Sequence, residues 1–535
     1  MMETSVRAIQ SLALLALVAC AGRASAQAPT IGPEAGTTAP PTRPGSQTST
    51  LGPIPGMGGA NFLQAAPGSQ TILGGRPGAT TPRVPANITT PGAGGDQITA
   101  PMTVSIPAPP PLTAVPLYGA LELPTTEDEG PPAGLTLDQA IDLAVRANLE
   151  LMARRYEINL AQADILQASL RANPLLYSDG QLVPYGNYSA QRPGGQTQYD
   201  LNVSYPLDIS HKRQARTAAA TQAKRVVEAQ FQDALRLMIA NVAYAYVNAQ
   251  AARETVRYAE TGLRGLDSLL SSLEKLAVRG ERNRSDINRI RAQRDAAELG
   301  VMDAREALLK AERTLGGFLN MPPEVAETIE IRGTLRDEAP PPPGIEQLTQ
   351  MALRCRPDVV AFRLGVGFSY ADLKLQEANR FADAYLLYQP YTFQSNAPMH
   401  LKSATSWALG ITMPVPLYNR NQGNIQRARL NISQTQIQLA ALERQVAIEV
   451  RQAQREYEVT KAYLDRFERS VLVSAHAAME DTRKLFLAGE LPDVTRFLAV
   501  QKEYNDTVRQ YRDTAIRHRR SMIGLNTAVG SRVLP

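Results

Sequence analysis

Four histidines, two cysteines and two charged turns are where chemistry could reside in this chain. His211, His400, His476 and His518 lie far apart in sequence with no ligand spacing. With only Cys20 and Cys355 beside them they build neither a metal cage nor a disulfide framework. Cys355 falls on an apolar-patterned helix and reads as a small buried residue. The glycine-rich run at 92–95 has no strand before it and no helix after it, so it is no phosphate loop. No Ser/His/Asp set or paired-carboxylate arrangement stands out. The expectation is a protein that is not an enzyme, with no cofactor and no metal site. The charged turns are 279–286 and 488–493. Gly280 and Gly489 suit the positive φ of a helix C-cap. Ser285 and Asp493 suit N-caps of returning helices. Capping explains these residues without any function, so the elements that carry them decide what they are for.

The N-terminus reads as an export signal. Arg7 precedes a short apolar core over 9–19, and Ala24-Ser25-Ala26 is a small-residue cleavage site. Leu17-Val18-Ala19-Cys20 instead resembles a lipobox, in which Cys20 is lipidated; the plainer alternative is a small residue within the signal. Residues 27–134 hold 21 prolines and 17 glycines but only nine charged side chains. That composition buries too little apolar surface to offset ordering entropy and reads as a flexible linker. The net charge of +5 over 535 residues argues against a nucleic-acid partner.

From Leu135 onward the chain says the same thing twice. LDQAIDLAVRANLEL (137–151) is echoed by IEQLTQMALRCRPDV (345–359), and YPLDISHKRQAR (205–216) by VPLYNRNQGNIQRAR (415–429). AVRGERNRSDINRIRAQ (277–293) is echoed by LAGELPDVTRFLAVQ (487–501). The offsets are 208, 210 and 209 residues, the mark of one duplicated unit. The expected organisation is a signal at 1–26 and a linker at 27–134. Repeats at 135–320 and 345–530 are separated by a linker at 321–344, and a tail follows at 531–535.

Each unit reads as helix, strand, strand, very long helix, turn, long helix. Thr136 and Gln139 form a capping box that opens the first helix. Tyr199, Leu201, Val203 and Tyr205 alternate with Gln198, Asp200, Asn202 and Ser204, and a partner strand is expected over 175–183. In the second unit Trp407, Leu409, Ile411, Met413 and Val415 alternate with small residues, and 385–394 is their aromatic-rich partner. Pro206 and Pro416 stand at the strand-to-helix junctions, with Gly423 just beyond the second. Pro416, lacking an N–H, is expected to end the ladder. Residues 211–278 and 424–487 contain no proline, predicting rods of about 100 Å. Ile425, Ala428, Ile432, Thr435, Leu439, Leu442 and Val446 form a coiled-coil seam. A second stripe through Leu430, Ile437, Ala441 and Ile448 predicts a further neighbour.

Strands with one apolar and one polar face fit a helix layer in a soluble domain, or a barrel wall with lipid outside and water inside. Four strands cannot close a barrel, and open edges are not tolerated in hydrocarbon. Three chains together would supply twelve.

YPLDISHKRQAR, MPVPLYNRNQGNIQRAR and LRANPLLYSD (170–179), in this order and spacing, resemble the TolC-type outer membrane efflux protein family, most nearly its cobalt-zinc-cadmium resistance subgroup. The resemblance spans about 135–530. It implies an α+β fold: four β-strands per chain in a twelve-stranded outer-membrane barrel, continued by a periplasmic tunnel of coiled-coil helices. It implies a homotrimer in outer membrane lipid, working with a periplasmic adaptor protein and an inner-membrane efflux transporter. The two turns (Arg279, Gly280, Ser285, Asp286, Gly489, Asp493) would then form the periplasmic entrance and meet the adaptor. Family members often carry paired acids there. Here Asp286 has Thr495 as its counterpart and Leu498 replaces the other acid, so a paired aspartate gate is not expected. The first turn is basic instead, through Arg279, Arg282, Arg284, Arg289, Arg291 and Arg294. The competing reading is a soluble periplasmic coiled-coil scaffold or adaptor.

Overall fold

The computed structural model describes residues 121, 130–181, 197–278, 284–336, 339–395, 402–487 and 494–535. The signal and its Cys20, nearly all of the 27–134 segment, and four tip residues (Arg279, Gly280, Gly489, Asp493) lie outside them.

The duplication is visible element by element. In the first copy α1 (Leu137–Ala147) and α2 (Leu149–Ser169) lead to β1 (Leu175–Gln181) and β2 (Thr197–Leu207). There follow α3 (Lys212–Val278) and α4 (Arg284–Phe318). A short helix α5 (Pro323–Ala326) connects to the second copy: α6 (Ile345–Cys355), α7 (Pro357–Ala378), β3 (Ala384–Ser395) and β4 (Ala404–Thr412). Then come α8 (Gln422–Arg466), a π-turn (Phe467–Val471), α9 (Leu472–Leu487) and α10 (Val494–Val529).

The capping box forms as its residues dictate: Thr136 Oγ1 accepts from Gln139 N, and Gln139 Oε1 from Thr136 N. The single expected opening helix is in fact two in each copy. Asn148 breaks the first run, its Oδ1 accepting from the N–H groups of Glu150 and Leu151 while its Nδ2 donates to Phe318 O at the end of α4. Arg356, 208 residues on, breaks the second and is followed by Pro357 at the first helical position. It too reaches the end of its copy's last helix, donating to Ala528 O, and it pairs with Asp358 and Glu449 at 2.6 Å. Different side chains thus tie the same corner. Both final helices also end in a left-handed residue, Asn320 (φ 56°) and Gly530 (φ 75°). A Cβ on Gly530 would lie 2.8 Å from Arg356 Cγ.

Cys355 is exposed, contrary to the expectation of a buried residue. The inward positions of α6 are taken by Leu348 and Ala352, and the helix ends at Cys355. The second long helix, expected unbroken, is interrupted by the π-turn. There Glu468 accepts from Nε and Nη2 of Arg336 (2.8 and 2.9 Å) and from the Tyr511 hydroxyl (2.7 Å). The segment between the copies is packed down, with Ile331 and Leu335 buried and Leu135 bridged to Ile331. Leu121, within the stretch expected to be flexible, is buried among Tyr258, Leu464, Tyr504 and Tyr511.

The four strands form one antiparallel sheet in chain order, β1-β2-β3-β4, so the two copies meet where β2 pairs with β3. Helices follow the same order, α2 beside α3, α3 beside α7, α7 beside α8. Farther along, α4 packs on α3, α3 on α10, and α10 on α8 and α9. The expected seam on α8 is realised, with Ala428, Ile432, Thr435 and Val446 buried.

Replacing Asn148 by Ala removes a buried cap and its tie to α4. The expected loss is about 1–2 kcal/mol, larger than for Thr136→Ala, read by thermal unfolding of the helical circular dichroism. Burial, and secondarily Glu327, raises the Glu312 carboxyl from its ordinary 4.5 to about 7. A raised acid holds its proton in the fold after the unfolded chain has lost it, so this site favours folding less and less between pH 4.5 and 7. Glu312→Gln should raise the melting temperature at pH 8 and leave it nearly unchanged at pH 4.

Candidate functional site

The sheet carries the expected alternation. Register aligns Tyr205, Leu386 and Ile411 across three strands, and Val203, Tyr388 and Leu409 beside them. This face is solvent-accessible on Trp407 (71%), Leu409 and Ile411. The opposite face holds Asp179, Asp200, Asn202, Ser204, Gln389 and Thr392, by the same register. Pro390 accounts for a bulge: β3 spends one extra residue between Tyr388 and Tyr391 against β2, and between Gln389 and Thr392 against β4.

Where the sheet meets the long helices, both copies turn through a left-handed residue, His211 (φ 59°) and Asn421 (φ 57°), again 210 positions apart. In the first corner Asp208 accepts from the N–H groups of Lys212 and Arg213, both at 2.8 Å, satisfying orphan donors of α3. Arg216 Nε donates to Ala168 O and its Nη2 to Leu170 O, so the last carbonyls of α2 are held by the first turns of α3. In the second corner Tyr418 stands where Asp208 would, and the Asn421 side chain makes no cap. Instead Asn421 Nδ2 donates to Gln376 O at 2.7 Å, the carbonyl equivalent to that of Ala168. Lys212 crosses to Asp383 of the other copy at 2.9 Å.

The junction residues singled out by sequence fall as follows. Pro206 lies inside β2, paired with Tyr385; the β1 ladder stops at Ser204, so only β3 flanks it and the missing N–H costs nothing there. Pro416 does not end the ladder. The last pair is Tyr385↔Thr412, because β3 begins at Ala384, and Pro414 follows before Pro416. Met413 and Val415 are therefore past the strand, though exposed like its apolar face. Gly423 sits in the first turn of α8 with nothing within 4 Å of a Cβ, so no steric need fixes it as glycine. His211 and Asn421, which shape the corners, have only their equivalence in the repeat as a sequence signal.

At the tips, α4 already starts at Arg284, placing Ser285 within its first turn rather than at the N-cap, and Asp286 beside it. Arg291 pairs with Glu274 (2.9 Å) and Arg294 with Asp267 (3.1 Å), both on α3, so these two cations of the basic turn are held by the adjacent helix. Leu498, in place of an acid, packs against the cluster around Leu266 and Leu273. His476 stacks edge-on with Tyr504, and His518 contacts Thr460 and Tyr457. Among the described residues no three His, Cys, Asp or Glu side chains are gathered as a metal site, and no helix is long and apolar enough to cross a membrane.

A left-handed corner is strained for all but glycine and a few polar residues. His211→Gly should therefore be neutral or stabilise by about 0.5–1 kcal/mol, whereas His211→Val should cost about 1–2 kcal/mol, measured by thermal unfolding.

Residues 140–320 match the family described as outer membrane efflux protein. The chain is 26% identical over 359 residues to the cobalt-zinc-cadmium resistance protein CzcC of Cupriavidus metallidurans, covering 66% of this chain and 81% of that protein. The fold is similar to that of CusC (TM-score 0.59, 19% identity, 79% of this chain and 98% of that one). It is also similar to the outer membrane protein VceC of Vibrio cholerae (TM-score 0.58, 19% identity, 74% of this chain and 96% of that one). The match over the first copy, the relative and the shared fold agree: this chain is similar to the outer membrane efflux proteins over residues 140–320 and has the fold of CusC and VceC.

Proposed function

We propose that the chain is the outer membrane channel of a tripartite efflux system, a passive exit duct for metal cations or small toxic compounds driven by an inner-membrane transporter. It catalyses no reaction; its work is a wet path through lipid and periplasm. The observation that carries this reading is the two-faced sheet whose outer edges have no strand partner among the described residues. The apolar face, with Trp407, Leu409, Ile411 and Tyr388 exposed, suits lipid, and the polar face suits water. The free edges β1 and β4 need partners in hydrocarbon, and head-to-tail pairing of three chains supplies them, closing twelve strands.

The helices below the sheet support the same assembly. Met152, Tyr156 and Leu166 lie exposed on α2 at one edge, and Leu430 (61%), Ile437 (70%) and Ile448 on α8 at the other. A stripe on one edge and a stripe on the opposite edge fit a heterologous ring. This is the further neighbour that the second stripe of α8 calls for. The tips around Arg279, Gly280, Ser285, Asp286, Gly489 and Asp493 are the proposed entrance, meeting a periplasmic adaptor.

Deleting the gene should sensitise cells to zinc, cobalt or copper, or to lipophilic drugs, and the pattern identifies the cargo. The protein should fractionate with the outer membrane as a heat-dissociable trimer. Ile437→Lys should abolish the trimer on mild gels and the resistance with it. A freely soluble monomer would instead favour a periplasmic scaffold.

A further inference from the structure

The four strands hold two charged side chains, Asp179 and Asp200, and they are register partners across β1 and β2. Opposed residues in an antiparallel pair have Cβ atoms roughly 4.5–5.5 Å apart, and like charges so placed repel. No lysine, arginine or histidine lies in any of the strands to relieve them. Asp200 is only 7% exposed; Gln198 Nε2 donates to its Oδ2 at 2.7 Å, and its Oδ1 is buried without a hydrogen-bond partner.

A second, independent group faces the same way. Asn202, next along that face of β2, is also 7% exposed, and its Oδ1 is likewise buried without a partner. The Pro390 bulge lies opposite it, so the β2–β3 register passes from Leu201 to Val203 and skips Asn202. A buried carbonyl-type oxygen left unpaired is costly, and so is a buried carboxylate oxygen. The Tyr177 hydroxyl, opposite Asn202 on the same face, hydrogen-bonds Asp179, and the buried oxygens of Asp200 and Asn202 that remain unpaired beside it suit a cation.

We propose that Asp179, Asp200 and Asn202 form an oxygen-donor site for a divalent cation on the polar face of the sheet, which on the duct reading lines the lumen. The site lies seven residues from Leu207, roughly 20–25 Å from the helix junction and therefore toward the outer mouth. Its donors are all hard oxygens, without imidazole or thiolate, so it suits partly hydrated ions such as Mn2+, Ca2+ or Mg2+ and holds them weakly. Weak holding is what a transit site needs, since an ion must leave as readily as it enters. In a trimer the pair would repeat three times around the exit and favour cations over anions.

The test uses the full chain in lipid nanodiscs titrated with Mn2+ and read by electron paramagnetic resonance. The wild type should bind about one Mn2+ per chain saturably, and Asp179→Asn with Asp200→Asn should weaken binding by about tenfold or more. Asn202→Leu should weaken it less, and Asp179→Glu should retain it, which separates lost ligation from lost folding. Absence of saturable binding in the wild type, or equal binding in the double variant, overturns the site. Conductance in planar bilayers tests the duct separately. A wild type that conducts without aspartate-dependent binding loses the site and keeps the duct. A wild type that neither conducts nor fractionates with the outer membrane loses the duct, and the lumenal site with it.

Discussion

A strand edge presents a row of backbone N–H and C=O groups, and hydrocarbon offers them nothing. A chain that places four strands in order β1-β2-β3-β4 leaves two such rows, one from each copy of its repeat. Much of the rest follows from having to complete them. The edge strands continue into edge helices, and those helices keep apolar stripes uncovered within one chain. The long helices then start at fixed positions beneath the sheet, because the corners at His211 and Asn421 leave little freedom. The corner staples, Arg216 onto Ala168 O and Asn421 onto Gln376 O, set how the strands hand over to helices.

The parts of this architecture legible in sequence are those with a short period. Strand alternation over 198–205 and 407–411, the Thr136 capping box, the α8 seam and the duplication are patterns of residue type at fixed spacing, and packing preserved them. What escaped depends on distant partners or on backbone geometry. Asn148 and Arg356 break their helices because each also ties to a carbonyl at the end of its repeat. Pro357 was the one local sign of that break. The π-turn has no signature of its own; it is fixed by Arg336 and Tyr511 converging on Glu468. Pro416 misled because the end of β4 is decided by where β3 begins, not by the nearest ring without an N–H. The polar-face cluster was half visible: Asp200 and Asn202 read as polar-face residues, but only register sets Asp179 opposite Asp200.

Divergence between the copies has kept the contacts and changed the chemistry. An amide at Asn148 and a guanidinium at Arg356 satisfy equivalent carbonyls, the second also absorbing two carboxylates. Asp208 caps one long helix, while Tyr418 leaves the same place in the other uncapped. Geometry has thus been conserved between the copies more strictly than residue identity, as expected where a sheet and a helical tunnel must share one register.

The π-turn separates the copies in a further way. The long helix of the first copy, α3, runs 67 residues without irregularity, whereas its counterpart carries five residues of wider winding midway. The wider winding, together with the one-residue shortening of the second copy between corner and tip (offsets 210 and 209), changes the angular position of the side chains beyond it. The two copies are consequently not interchangeable below that level, even though they are above it. In the proposed trimer three chains would carry six such helix pairs, and had the copies stayed alike the ring could approach six-fold symmetry. On the duct reading the ring would instead be held to three-fold, with unlike pairs alternating around the axis.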